Sequence, residues 1–102
     1  MKSYLISDNV DTLVGMAIVG IKGEVIHDRN EVIRKLNELK KNPQIYMILL
    51  TEKISALIPN EVRELKLSKK GPLVVEIPDR HGSMRDDDWL MGYVKEAVGL
   101  KL

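Results

Sequence analysis

At 102 residues the chain fits one domain, and a domain of that size buries roughly two-thirds of the surface its unfolded chain exposes, so it can hold together without staples. Cysteine is absent, which excludes disulfides, zinc thiolate sites and thiol nucleophiles and suits a reducing compartment such as the cytoplasm. Sixteen basic and fifteen acidic residues, interspersed, leave a net charge of +1 and no basic block for nucleic acid, while no stretch approaches the roughly 20 apolar residues that span a bilayer.

The N-terminal run, residues 1–8, is too short in its apolar part for a signal peptide. Beyond it, apolar runs rich in β-branched residues alternate with segments of helical period, the pattern of βαβ units around a parallel sheet. Residues 3–7 read as the first strand. Asp8 can cap the helix that follows, whose apolar positions Val10, Leu13, Val14, Ala17, Ile18 and Ile21 share one face. Gly20 and Gly23 end that helix and turn the chain into a short strand over 24–27.

Asp28-Arg29-Asn30-Glu31 reads as a variant capping box opening a second helix, with Val32, Ile33, Leu36 and Leu39 on one face. Lys40 and Lys41 suit its negative C-terminal end, and Pro43 prevents its continuation. Residues 44–50 are apolar almost throughout, as expected of a central parallel strand covered on both faces. Thr51 can cap a third helical stretch carrying Ile54, Leu57, Ile58, Val62 and Leu65, within which Pro59 either makes a kink or starts a fresh helix. Residues 68–72 form a surface turn, and 73–77 a last strand stopped by Pro78. Right-handed crossovers and adjacency then predict a small flavodoxin-like α/β fold with four parallel strands in the order 2-1-3-4, flanked by helices.

This divides the chain into a globular domain over 1–78, a hinge loop over 79–84 marked by Asp79, Gly82 and Ser83, and a C-terminal helical segment over 85–102. Trp89, Leu90, Tyr93, Val94, Ala97 and Val98 form an apolar stripe along one side of that helix, and Asp86, Asp87 and Asp88 stand where carboxylates cap its first turn. Fully burying four of its large side chains is worth roughly 6 to 12 kcal/mol gross. No strand follows the stripe, and it holds the single tryptophan, a residue favoured at interface anchors. It therefore reads either as a last helix packed on the sheet or as a grip for a partner protein, and the second reading is preferred.

No catalytic or cofactor motif stands out. Gly15, Gly20 and Gly23 lie within and after the first helix instead of forming a phosphate loop between strand and helix. A phosphoacceptor domain of this topology needs an acidic cluster after the first strand and an aspartate ending the third; Asp8 stands alone and Thr51 takes the acceptor position. His27 and His81 are far apart in sequence, and successive aspartates on a helix diverge, so no metal site is expected. No serine or lysine has a plausible base in a recognisable motif. Besides a partner-gripping adaptor, the sequence admits a stand-alone signalling or small-ligand domain using the crevice near Asp8 and Thr51-Glu52.

Several fragments, in order and spacing, resemble one family: Asp8, Asp11-Thr12, Gly15, Gly20-Ile21, residues 48–52, Ile58-Pro59, Ile77-Pro78 and residues 94–99. The chain is similar to the F subunit of the V-type and archaeal-type rotary ATPases, which some bacterial sodium pumps call their G subunit. The resemblance implies a non-catalytic central-stalk protein with a Rossmann-like N-terminal domain and no cofactors, at the cytoplasmic side of the membrane and not inserted into it. The C-terminal helix would lie along the coiled-coil shaft, the D subunit, with the catalytic head and the membrane-rotor connecting subunit as further neighbours. It also implies coupling of ATP hydrolysis or synthesis to proton or sodium transport. The chain departs from the family at Met16-Ala17-Ile18, where relatives commonly carry an aromatic and a basic residue.

Overall fold

The computed structural model describes residues 2–78. Four strands form, three of them within a residue of where the β-branched runs predict them: β1, Lys2–Ser7; β2, Lys22–Val25; β3, Ile45–Thr51; and β4, Leu73–Ile77. All pairings are parallel and the order is β2-β1-β3-β4, as expected from right-handed crossovers. β3 is central, with Met47, Ile48, Leu49 and Leu50 all buried, which accounts for its lack of polar alternation. The period of two divides the core. Ile6, Ile48, Leu50 and Val74 join the cluster formed with the helices between β2 and β4, and Leu5, Met47, Leu49, Val75 and Ile77 join the cluster on the other face.

The helices are α1, Val10–Ile18; α2, Arg29–Lys41; α3, Glu52–Leu57; and α4, Pro59–Leu67. Helix α2 forms as its sequence predicts. The Asp28 side chain accepts a hydrogen bond from Glu31 N at 3.1 Å, Val32, Leu36 and Leu39 are buried, and Lys40 and Lys41 occupy the last turn. Of the two possibilities at Pro59, the fresh helix is realised. Proline stands at the first position of α4, where its missing N–H costs nothing. In the turn before β4, Gly71 has φ of 101°, a conformation costly for any residue with a side chain.

Four expectations need correction. Asp8 does not cap α1; Asn9 does, its Oδ1 accepting from Thr12 N at 2.7 Å. Thr51 sits at the N-cap position of α3 but makes no capping bond, because its hydroxyl is engaged across the sheet. The second strand begins at Lys22, two residues earlier than expected, which places Gly23 inside it. A Cβ at Gly23 would come within 2.5 Å of the Leu5 carbonyl oxygen, so this glycine permits close approach of β2 to β1 rather than a turn. Gly20 does make the turn: with φ of 89° it donates to Ala17 O while Ile21 N bonds Met16 O, closing α1 in a Schellman motif.

The fourth correction concerns the facing of α1. Thr12 and Met16 are its buried residues, with Leu13 and Val19 packed against the same cluster. Of the apolar face expected from sequence, Val10, Val14, Ala17 and Ile18 are exposed, and Ile21 is buried but lies beyond the helix. Two residues turn a helix by about 200°, so the Thr12/Met16 row and the Val10/Val14/Ile18 row occupy opposite sides.

Candidate functional site

The C-terminal ends of β1 and β3 meet at the point where strand order reverses, the usual place for a ligand in this topology. Here the chain joins its own loops together. Asp8 N donates to Thr51 Oγ1 at 3.2 Å, Ser7 Oγ donates to Asn9 O at 2.7 Å, and His27 Nε2 lies 2.8 Å from Asp8 O, placed to donate to it. Lys53 Nζ stands 4.0 Å from Asp8 Oδ2. The Ser7 and Thr51 side chains are buried. Asp8, His27 and Thr51 are tied to one another here and the Ser7 and Thr51 hydroxyls are buried, so the arrangement is that of a clamp between the loops after β1, β2 and β3. Among the described residues, no group of His, Asp and Glu side chains could hold a metal ion.

A second concavity, of about 530 Å³, lies between α3, α4 and β4, lined by Ser55, Pro59, Val62, Arg63, Lys66 and Glu76 among others. Glu76 sits on β4 and accepts from Ser55 Oγ at 3.0 Å and from Lys66 Nζ. The hydrogen bond from Lys66 holds its carboxyl below the usual carboxylate range, against the opposing effect of partial burial and with help from Ser55. The arrangement sets a charged pair in the lining of the groove, beside Pro59 and Val62.

The third feature is the outer side of α1, where Val10, Val14 and Ile18 are 61%, 53% and 65% exposed. Helical periodicity alone places these side chains in the core and so hides them as surface. The available signal is charge: α1 carries one charged residue, Asp11, in nine, so neither side of it is marked for solvent. The partner-gripping residues expected from sequence, Trp89, Leu90, Tyr93, Val94, Ala97 and Val98, and the hinge residues Asp79, Gly82 and Ser83, lie outside the described residues. Of the alternative crevice, Asp8 and Thr51 are brought together by a hydrogen bond, and Glu52 begins α3 beside them.

A parallel α/β body whose strand-end polar groups satisfy one another, and whose first helix shows an apolar outer side, has the make-up of a binding module. Comparison with known proteins narrows this class. The chain belongs to the family described as ATP synthase (F/14-kDa) subunit, whose model matches residues 4–94. It is 29% identical to the F subunit of the A-type ATP synthase of Methanocaldococcus jannaschii over all of this chain and 99% of the relative. It is 30% identical to the protein of the same name from Pyrococcus furiosus, over all of this chain and 98% of the relative, and 30% to that of Methanosphaera stadtmanae, over 90% and 88%. The resemblance carried by the motifs from Asp8 to residues 94–99 therefore holds. Membership makes the chain an accessory subunit of an ATP-driven, ion-translocating complex, distinct from the subunits that carry catalysis. Among the described residues no helix is long and apolar enough to cross a membrane.

Proposed function

We propose that this chain is a central-stalk rotor component of an archaeal-type rotary ATPase, at the cytoplasmic face and peripheral to the membrane. It grips the coiled-coil shaft, the D subunit, through Trp89, Leu90, Tyr93, Val94, Ala97 and Val98. Rigid packing there helps couple ATP hydrolysis or synthesis to proton or sodium transport. The observation that carries the reading is the family match across residues 4–94 together with end-to-end similarity to the F subunits of A-type ATP synthases. The clamp at the strand ends supports it from the other side, since a ligand-binding rival would need those polar groups available. The test is co-expression with a shaft partner, the D subunit. Trp89→Ala combined with Tyr93→Ala is expected to weaken the pair by at least about a hundredfold, two decades at ~1.4 kcal/mol each. An unchanged affinity removes this stripe as the grip.

A second reading gives the same stripe to the chain's own body. What favours it is the burial of Met47, Leu49, Val75 and Ile77 on the face where α1 touches β1 and β2 but is not in comparable contact with β3 or β4. One apolar stripe cannot serve sheet and shaft at once, so the hinge at 79–84 would exchange the two and alter ATPase rate. Tethering the C-terminal segment to the globular domain is expected to change turnover of the assembled complex. An unaltered rate leaves the fixed-grip reading alone.

A further inference from the structure

We infer that the outer side of α1, built from Val10, Val14 and Ile18 and flanked by Asp11, is a second docking surface of this chain. Its occupant is an apolar α-helix from another protein of the same complex, bringing a basic side chain to Asp11. The proposal rests on the rotor reading above. Its starting point is the helix itself: with Thr12 and Met16 inward, Val10, Val14 and Ile18 outward and one charge in nine residues, α1 is apolar on both sides. A helix of that kind is at home between two packed layers, and the sheet supplies one of them.

A second copy is the first candidate to weigh as occupant, and area argues against it. Three half-exposed aliphatic side chains offer on the order of 300 Å² per chain, so a self-paired stripe buries about half of the roughly 1,200 Å² at which stable interfaces begin. A patch that small acts when another contact already holds the partners together and raises their effective concentration, as membership in a multi-protein complex does. Asp11 adds the sign: an acidic flank selects a basic neighbour and disfavours an acidic one.

The absence of cysteine makes the test direct, because one introduced thiol reports on one position. In the full chain, Val14→Cys is placed on the stripe and Glu38→Cys on the outer side of α2, where Glu38 is 69% exposed. On incorporation into a rotary complex stripped of its own F subunit, alkylation at position 14 is expected to slow by at least about tenfold, while position 38 changes less than about twofold. Equal, unslowed rates in a complex that has taken up the chain overturn the α1 surface and leave the rotor reading standing. Failure of the wild-type chain to enter the complex overturns the rotor reading and this one with it. In competition for uptake, the double variant Val14→Lys with Ile18→Lys is expected to lose to the wild-type chain by about tenfold or more, with an unchanged circular dichroism melt of the free chain. Equal uptake overturns the proposal. Sedimentation of the isolated wild-type chain at ~50 μM is expected to show a monomer. A dimer that Val14→Lys dissociates would put a second copy on the stripe and overturn it as well.

Discussion

Helix α2 turns Val32, Leu36 and Leu39 to the sheet and carries its charges outside, with Arg29 reaching Glu61 at 3.1 Å and Lys35 reaching Glu24 at 3.2 Å. Helix α1 turns Thr12 and Met16 inward and leaves Val10, Val14 and Ile18 outside. Both helices are crossovers in the same sheet, and both carry an apolar stripe at helical spacing. A stripe therefore identifies a helix but not the layer that it serves. Charge on the opposite side orients α2. In α1 the single Asp11 leaves two rows competing, and the more hydrophobic row lost.

The comparison is broken most readily by truncation. Leu36→Ala removes a fully packed side chain and is expected to cost about 2 to 5 kcal/mol in denaturant unfolding, against within about 0.5 kcal/mol for Val14→Ala. Similar losses at the two positions would mean that the α1 stripe is core after all. A smaller but still clear effect tests the seat of α1 on β2. Gly23→Ala pushes a methyl toward the Leu5 carbonyl and is expected to lower stability by about 1 to 3 kcal/mol, read from the thermal midpoint.

The caps sharpen the contrast further. Asn9→Ala and Asp28→Ala should each cost about 1 kcal/mol, because each removes an acceptor from a free N–H in the first turn of its helix. Asp8→Ala should cost less than Asn9→Ala, and the reverse order would restore Asp8 as the cap of α1. A further small effect is expected outside both helices, at Glu76. Its folded-state carboxyl ionises more readily than in the unfolded chain, so the stabilisation is present above the unfolded pKa and is lost as pH falls through the depressed folded one. With both partners partly exposed, Glu76→Gln should change stability at neutral pH by less than about 1 kcal/mol and flatten its decline in acid. An acid limb identical to that of the wild-type chain would show that Lys66 contributes nothing there.

Much of the fold was legible because its determinants are local. The β-branched runs mark four strands, the Asp28 cap and Pro43 bracket α2, Pro59 marks a helix start, and the polar turn containing Gly71 separates α4 from β4. The unbroken apolar run of β3 also places it at the centre of the sheet. The site was less legible. Asp8 and Thr51 stand out by their positions at strand ends, but nothing in their own neighbourhoods announces that the amide of one meets the hydroxyl of the other across 43 positions. Gly23 looks like a turn residue because glycine is a turn signal until a second strand is known to press on it.

The kind and order of the elements, the parallel α/β class and the family are all written in the chain, since they follow from periodicity, caps and ordered short motifs that a segment carries with it. Which side of α1 meets the sheet, which residue caps it, and what Thr51 and Gly23 are for emerge once the segments pack together. Those outcomes depend on how residues from distant segments fill the same space, and no single segment records the shape of its neighbour.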